Sequence, residues 1–437
     1  MRFISCPFLV ITFAATLGGC SKQHDGYAYV CALRSSRYDG CAMKVVLKVI
    51  LSFALSLVLI LLAMIVFAFW KPVTASKTIW PVVENYMLEE PFLGITANGT
   101  VIPDLFRIES TGVSTQPVVA AANNFIASLS EAQRGRLLFP VDDLEWRRWA
   151  NIHISTRQGV GLLEMNEYQS RAAMELLGTG LSSRGLKTSR DIMRLEGHLA
   201  DLMDDHEQYG EKRYWFTIMG EPSMTEPWGW QIDGHHLIIN YFLLGDQVVV
   251  TPMFMGSEPT SAATGRFAGT AILEEELTAG LALINSLDEE QRSVAIVKQN
   301  KITNNNRGEL FQDNAIVEYA GISLAQLTLA QRERALELIT LYIGNISEGH
   351  AEIKLSEIVR HWNDTHFAWV GGTDPASIFY YRIHSPVVMI EYDHQKPVAL
   401  DGPDLPSQDH VHTVVRTPNG NDYGKDLLRQ HLSQHGH

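Results

Sequence analysis

The sequence predicts an α+β fold in which an antiparallel or mixed sheet packs with helical hairpins. Helix-periodic segments and strand-like segments each occur in runs, rather than as alternating β-α-β units. Three segments carry the pattern that starts a helix, and two regions are rich in β-branched and aromatic residues. The chain has 437 residues, 46% hydrophobic and 19% charged, which is enough to bury a substantial core.

The N-terminal region has two interpretations. It contains all four cysteines, and residues 8–17 lead into Cys20 as in a bacterial lipoprotein signal, where that cysteine is lipidated. Alternatively, residues 1–42 are a mis-assigned start, because the sequence from Met43 reads as a complete export or anchor sequence. The chain from Met43 onward contains no cysteine. Thiol chemistry, zinc–thiolate sites and a disulfide framework are therefore excluded in that part of the protein.

Residues 43–72 are predicted to be a transmembrane anchor or a long signal. Within them, residues 49–70 carry no charge and are long enough to cross a bilayer. Lys44 and Lys48 precede this run, which predicts a single-pass protein of the cell membrane with its domain on the periplasmic or extracytoplasmic side. Cleavage of the leader would instead give a secreted protein or a lipoprotein.

The rest of the chain is predicted to be one domain behind a linker. Residues 73–115 contain several prolines and are predicted to be a linker and lead-in with short extended pieces. Residues 116–431 are predicted to form the single domain, and residues 432–437 a tail. Residues 159–177 and 189–209 are helix candidates by their apolar spacing.

Three capping boxes predict that helical hairpins recur along the domain. In each box the first residue caps the helix N-terminus and a glutamine three positions later satisfies the cap's own amide. An apolar, helix-like segment precedes each box, and the irregular spacing between boxes argues against a solenoid. The pairs are Ser130 with Gln133, Asp288 with Gln291, and Thr328 with Gln331.

The strand-like segments form two groups. Residues 214–219, 229–242 and 247–254 make the first group, and a Leu-Gly-Asp turn joins the last two of these as a hairpin. Residues 378–392 and 410–415 make the second group. We expect a polar site where the two groups meet on one sheet.

Charge and motifs exclude several classes of function. The net charge of −14 argues against a nucleic-acid partner, because phosphate binding needs a basic face. A Walker loop, an HExxH helix, a dinucleotide fingerprint and a G-x-S-x-G elbow are all absent. Nucleotide chemistry and ordinary serine-hydrolase chemistry are therefore disfavoured.

Histidines are the main candidates for chemistry, and four are predicted metal ligands. His410 and His412 share one face of a strand, as two ligands to one metal should, although a surface pair would show the same spacing. His235 and His236 are adjacent, so on a strand they would face opposite ways and at most one could enter a shared site. His235, on the more polar face, is slightly favoured.

Glu391 is the predicted catalytic carboxylate. It lies within an apolar strand, where an unpaired charge is very costly. It is therefore interpreted either as a metal ligand or general base, or as the partner of Arg382 in a structural ion pair.

Aromatic residues and a turn-rich loop are the candidates for substrate contacts. Two tryptophans could wall a pocket, although core packing is their commoner role. The loop after the second strand group carries tight turns beside polar side chains, and a plain connector is equally compatible with it. The candidates are Trp228, Trp230, Arg416, Asn421, Asp422 and Tyr423.

Three long motifs resemble those of the DUF3500 family, a domain family of unknown function. They are residues 227–260, 380–395 and 409–428. The resemblance extends roughly over residues 116–431 and implies a single domain. It implies no activity, and it does not account for the hydrophobic N-terminal segment.

The leading hypothesis is an exported or membrane-tethered metal-dependent enzyme, hydrolytic in type, that binds zinc or iron. Its ligands would be His235 or His236 with His410 and His412, which would leave a position for water. Its substrate would be a small molecule or an envelope component. The alternatives are a metal-free envelope ligand-binding domain and a purely structural tethered protein. In the structural alternative, the histidines would be scattered in space.

Overall fold

A thirteen-stranded mixed sheet forms the centre of the described chain. The computed structural model describes Phe53, Ala54, Ser56 and residues 72–435. The chain divides into residues 1–67 and residues 68–437, and every element named below belongs to the second unit. The α+β class predicted from the sequence is confirmed for this unit.

Eight of the thirteen strands lie in the two groups predicted from the sequence, whereas the other five were not predicted. The strands are β1 (Leu138–Phe139), β2 (Val160–Gly161), β3 (Tyr214–Met219), β4 (Trp228–Gly234), β5 (Leu237–Leu244), β6 (Gln247–Val249), β7 (Met253–Ser257), β8 (Ile296–Lys298), β9 (Ile322–Ser323), β10 (His366–Gly371), β11 (Phe379–His384), β12 (Met389–His394) and β13 (Val411–Arg416). The five that were not predicted are β1, β2, β8, β9 and β10. The predicted strand 214–219 is confirmed at both ends, because its aromatic and β-branched residues are bounded by Gly220.

Ten α-helices accompany the sheet within residues 72–435. They are α1 (Pro72–Met87), α2 (Gln116–Ser128), α3 (Glu131–Leu137), α4 (Glu167–Gly180), α5 (Ser183–Met203), α6 (Glu274–Ser286), α7 (Glu289–Ala295), α8 (Leu329–Ile343), α9 (Glu348–Arg360) and α10 (Lys425–His435). The buried faces of helices α2 to α10 pack with both groups of strands into one large hydrophobic core.

The strand order is palindromic: the strands of the second half follow those of the first half in reverse order across the middle of the sheet. The order is β1-β3-β4-β5-β7-β13-β12-β11-β10-β8, with β2, β6 and β9 paired at the side to β3, β5 and β10. The pairs β1–β3 and β8–β10 are parallel, whereas β7 and β13 meet antiparallel at the centre. The second strand group therefore lies directly beside the first, as the sequence predicted.

The two halves of the sheet also repeat one order of elements. Hairpin α2–α3, strands β1 and β2, helices α4 and α5 and the strands β3, β4, β5 and β7 form the first half, which also contains the additional short strand β6. Hairpin α6–α7, strands β8 and β9, helices α8 and α9 and the strands β10 to β13 form the second. The domain thus consists of two similar halves, arranged as a two-fold axis through the β7–β13 pair would place them.

The three predicted capping boxes are present at the N-termini of α3, α7 and α8. A fourth box, Asn166 with Gln169, opens α4 and was not predicted. The box glutamines of α4 and α8 then occupy equivalent places in the two halves. Gln169 Nε2 donates to the Ser128 carbonyl at 3.1 Å, and Gln331 Nε2 donates to the Ser286 carbonyl at 2.9 Å. These two boxes, at the starts of α4 and α8, therefore tie their own helices to the ends of the earlier helices α2 and α6.

Several predicted boundaries differ from the structure. Residues 72–87 form helix α1 instead of an extended linker, because Trp80 anchors it by stacking on Phe311 with ring centroids 5.7 Å apart. Segment 229–242 is two strands, since the chain reverses at His235 and His236. Segment 378–392 likewise divides into β11 and β12 around a short turn.

The predicted N-terminal leader and membrane anchor lie outside the described residues. In segment 49–70, the structure describes Phe53, Ala54 and Ser56, which are helical. Within the described part of the chain, no helix combines the length and apolarity needed to cross a bilayer.

Candidate metal centre

Four histidines meet where the β4–β5 turn faces the beginning of β13. His235 and His236 form the turn, and the amide of Gly256 on β7 donates to the His236 carbonyl at 2.9 Å. Gly256 also pairs with His412 on β13. A Cβ at Gly256 would lie 3.0 Å from Cδ2 of His412 and 3.4 Å from Cδ2 of His236. Glycine at this position therefore lets both imidazoles approach the same strand closely.

His236, His410 and His412, called the histidine triad below, bring their imidazoles together. One ligand atom from each lies within 4.8 Å of the others. Nε2 of His410 and Nε2 of His412 are 2.9 Å apart, and buried Nε2 of His236 has no hydrogen-bond partner among the described residues. All three residues are buried. These histidines are therefore close together, whereas the alternative of a purely structural protein expected them to be scattered in space.

Each imidazole of the histidine triad is held at its other nitrogen by an acceptor. Nδ1 of His236 lies 2.8 Å from Oε2 of Glu196 on helix α5. Nδ1 of His410 lies 2.7 Å from the Lys396 carbonyl, and Nδ1 of His412 lies 2.7 Å from Oε1 of Glu309. A carbonyl oxygen can only accept, so His410 carries its proton on Nδ1 and presents a lone pair at Nε2.

Electrostatics give His412 and His236 the same tautomer. Burial opposes the ionisation of Glu309, but His412 and hydrogen bonds from neighbouring side chains outweigh it and lower its pKa. Burial also opposes the ionisation of Glu196, yet His235 and His236 lower the pKa of that carboxyl. Ionised carboxylates accept from Nδ1–H, so in the neutral form of each ring Nε2 carries the lone pair throughout the histidine triad.

Two lone pairs that face each other at 2.9 Å repel unless a proton or a metal cation lies between them. Burial, followed by His412 and His236, sets the pKa of His410 well below its usual range, so His410 itself does not supply that proton. Nitrogen ligands 2.0–2.1 Å from one tetrahedral zinc ion lie about 3.3 Å apart. This separation is close to the 2.9 Å between the Nε2 atoms of His410 and His412. Metal-binding histidines also characteristically donate their other N–H to a carboxylate or carbonyl.

The expectation that His235 and His236 face opposite ways is wrong. It assumed a continuous strand, whereas these residues form the turn between β4 and β5. Their rings stack with centroids 3.8 Å apart, and Nδ1 of His235 lies 2.8 Å from the other oxygen of Glu196. His236, rather than the favoured His235, belongs to the triad, although His235, His236 and Glu196 form a second group of ligand-type atoms within 4.8 Å.

Glu391 lies on the same strand face as His412 but makes other contacts. Its carboxylate accepts from the amides of Arg307 and Gly308 and from the Tyr380 hydroxyl, the last at 2.6 Å. It is fully buried, belongs to neither group of ligand-type atoms among the described residues, and burial raises its pKa. These contacts make Glu391 an anchor for the loop that carries Glu309. Its predicted role as ligand or base stays a prediction.

The two predicted substrate-contacting tryptophans lie in the core. Trp228 and Trp230 are fully buried, and Trp230 stacks on Tyr241 with centroids 5.0 Å apart. The indole of Trp228 donates to the Ser223 carbonyl at 2.9 Å. Their contacts hold strand β4 against β5 and the loop that precedes β4, as the core-packing interpretation expected.

The turn-rich loop after β13 is buried instead of open to solvent. Arg416 donates to Asp313 and Asp422 at 2.8 and 3.2 Å, and Tyr423 donates to Asp313 at 2.9 Å. Asn421 is also buried but lines a cavity of about 530 Å³. The substrate-binding role of these four residues stays a prediction, and Asn421 alone among them borders a described cavity.

Sequence reasoning missed the acceptors Glu196, Glu309 and the Lys396 carbonyl. Glu196 lies on the buried face of α5 beside Ile192 and Leu199, and a carboxylate on an apolar stripe is a usable signal. Glu309 occupies a polar loop without periodicity, so only its packing against His412 identifies it.

Together, the fold and the histidine triad define an α+β domain with a buried polar centre at the middle of its sheet. The model of a family described as "Protein of unknown function (DUF3500)" matches residues 111–425. The chain therefore belongs to the DUF3500 family, as the three motifs indicated. Neither the curated proteins nor the solved structures gave a match.

Proposed function

We propose that the chain is a metal-dependent enzyme of hydrolytic type, with His236, His410 and His412 as ligands to zinc or iron. The observation that carries this proposal is the meeting of three buried imidazoles, with one ring nitrogen of each within 4.8 Å of the others and the Nε2 atoms of His410 and His412 only 2.9 Å apart. A cation would satisfy all three, and the acceptors at Nδ1 already hold each ring in the required orientation.

The chemistry follows from the number of ligands. Three protein ligands leave a fourth position for water, whose pKa a bound zinc ion lowers to about 7. The side chain of His412 is 9% exposed and that of Glu309 is 22% exposed, so this edge of the centre has access to solvent. Glu309 and Glu196 would orient His412 and His236 and increase their basicity as ligands.

Metal analysis of the purified full-length chain tests the binding step. We expect about one zinc or iron per folded chain, lost in His236→Ala, His410→Ala and His412→Ala and retained in His206→Ala, whose side chain is 60% exposed. Circular dichroism and the conservative variant His412→Gln separate loss of metal from loss of fold. A folded wild-type chain that stays metal-free after supplementation would contradict the proposal.

A panel of chromogenic esters, amides and phosphate esters tests the hydrolytic step. Turnover should disappear on chelation and return with added metal, and it should be absent in His412→Gln. A metal-loaded chain that hydrolyses none of these classes would leave the metal site standing and contradict the assignment as a hydrolase.

A second candidate function, metal-free ligand binding, is supported by the cavity of about 530 Å³. Its volume is typical of sites for small molecules, and its lining combines apolar residues such as Val249 and Tyr342 with Lys354 and Arg107. Thermal shifts that survive chelation and disappear when Ile346→Trp fills the cavity would favour this candidate.

The proposed location is outside the cytoplasm, tethered or exported. It rests on the uncharged run 49–70 and the lysines before it. Fractionation of cells that express the tagged full-length chain tests it, because a chain recovered wholly in the cytoplasm would contradict the proposal.

A further inference from the structure

A small polar cavity of about 200 Å³ lies beside the candidate metal centre. His235 and Glu196 line it, and the same Glu196 carboxylate contacts His236 of the histidine triad. The cavity is therefore separated from a ligand of the proposed metal by one carboxylate.

The lining of this cavity is predominantly cationic. Lys77 from helix α1, together with Arg157 and Arg213, contributes three positive charges. Among the described residues that line it, Glu196 is the one carboxylate, and both of its oxygens already contact histidines. This cavity is called the cationic pocket below.

These three cations are only partly neutralised by the protein. Arg157 pairs with Asp233 at 3.2 Å, whereas Arg213 donates to the His206 carbonyl. Within the described part of the chain, no carboxylate forms an ion pair with Lys77 or Arg213. Asp205 and Glu207 act on both only from a greater distance.

The electrostatics of Lys77 favour an anion in the cationic pocket. Burial lowers the pKa of Lys77, and the charges of Arg213 and Arg157 lower it further. An anion among the three cations would relieve this repulsion, and arginine N–H groups suit the oxygens of carboxylate and phosphate.

We propose that the cationic pocket binds an oxyanion, a carboxylate or phosphate group, that belongs to the substrate. The assignment to a substrate rests on the proposed metal-dependent function. The volume accommodates one such group with a few neighbouring atoms, so the pocket selects small or terminal anions.

Calorimetric titration of the metal-loaded full-length chain with inorganic phosphate, and separately with acetate, tests this inference. We expect at least one of the two to bind, and the one that binds more tightly identifies the anion class. Arg213→Gln and Lys77→Met should each weaken that binding by about tenfold or more, because each removes a charge-assisted contact. Arg171→Gln is the matched control, since that side chain is 72% exposed.

Metal content, measured on the same samples, separates this inference from the proposed function. Metal bound at the wild-type level with no binding of either anion overturns the cationic pocket alone. Unchanged anion affinity in both pocket variants overturns it as well, because the anion would then bind elsewhere. Anion binding that is sensitive to Arg213→Gln in a chain without metal supports the pocket and contradicts the metal-dependent function. Repetition after chelation excludes binding to the metal itself.

Discussion

At the scale of single residues, each histidine of the triad has a different acceptor behind it. An ionised glutamate holds His236, a backbone carbonyl holds His410, and a partly exposed glutamate holds His412. Substitution of the acceptor side chain can therefore change the basicity of His236 and of His412. It cannot change the basicity of His410, because the acceptor there is a backbone carbonyl.

Glu309→Ala should weaken zinc binding by about 10- to 100-fold, because His412 would lose the acceptor that fixes its tautomer and orientation. Competition with a chromophoric chelator measures the affinity. Glu333→Ala, at an exposed position on helix α8, is the control and should leave the affinity unchanged. An equal affinity in Glu309→Ala and wild type would show that Glu309 does not support the site.

His384, on strand β11, should make the fold sensitive to acid. It is buried, and neither ring nitrogen has a hydrogen-bond partner in the part of the chain that the structure describes. Burial, followed by Arg382 and His366, lowers its pKa to about 3. The unfolded chain binds this proton from about pH 6.5 downward. The free energy of unfolding should therefore fall as the pH drops from about 6.5 towards 3, by up to about 1.4 kcal/mol per pH unit for this one group.

Urea unfolding of His384→Phe at several pH values between 7 and 4 tests this dependence. The variant should lose stability less steeply with falling pH than the wild type, while His206→Phe, at an exposed position, should follow the wild type. Parallel curves for His384→Phe and wild type would assign the acid sensitivity to other groups.

The residue-level predictions from sequence succeeded where two side chains are related by local geometry. The H-x-H spacing placed His410 and His412 on one face, and their Nε2 atoms are indeed adjacent. Glu309 and Glu196 could not be found in this way, because their contacts depend on how distant segments pack. The same limit applies to Gly256, whose role is a close approach between strands.

At the scale of elements, the capping boxes connect helices as well as start them. Gln331 caps α8 and also donates to the Ser286 carbonyl and to Gln291, both in the preceding hairpin. A single buried amide thus satisfies backbone groups that would otherwise be left without partners.

Gln331→Ala should lower the free energy of unfolding by about 1–3 kcal/mol, because it leaves the Ser286 carbonyl without its donor and removes half of the capping box. Gln326→Ala, where the side chain is exposed, should change it by less than about 0.5 kcal/mol. Chemical unfolding of both variants measures the difference, and similar values for the two would indicate that the bridge contributes little.

Element boundaries were predictable where turn or cap residues mark them. The hairpin at Gly245 and the helix starts after Ser130 and Asp288 agree with the sequence. The reversal at His235 and His236 was missed because apolar residues continue on both sides of it, and hydrophobicity alone does not show a turn. Helix α1 was missed because its prolines favoured an extended interpretation, whereas the packing of Trp80 determines its position.

At the scale of the whole molecule, the histidine triad joins segments from both halves of the sheet. His236 belongs to the first half, and His410 and His412 belong to the second. A metal ion bound there would cross-link the halves, so metal binding should be linked to global stability.

Addition of zinc should raise the unfolding temperature of the wild-type chain, because a ligand at about a thousand times its Kd stabilises the native state by about 4 kcal/mol. His412→Gln should show no comparable increase. Differential scanning calorimetry with and without zinc measures the effect, and an equal increase in both proteins would place zinc binding elsewhere.

The fold class was predictable from sequence, but the repetition of its halves was not. Runs of helix and strand predicted α+β, and the two strand groups were expected to share one sheet. The repeat is hidden because the box that opens α4 uses Asn166, which was not recognised, and because loops of different lengths separate the equivalent elements. The irregular spacing of the capping boxes correctly argued against a solenoid. The same irregular spacing made the repetition of the two halves hard to recognise.

The palindromic strand order has a consequence for the history of this chain. A half-length ancestor with β7 as its last strand would expose an open edge, and the antiparallel pairing of that edge with its copy reproduces the centre of the present sheet. Gene duplication and fusion would then have made a former homodimer into one polypeptide. Once joined, the two copies could diverge, so a site at the old subunit boundary could recruit one histidine from one copy and two from the other.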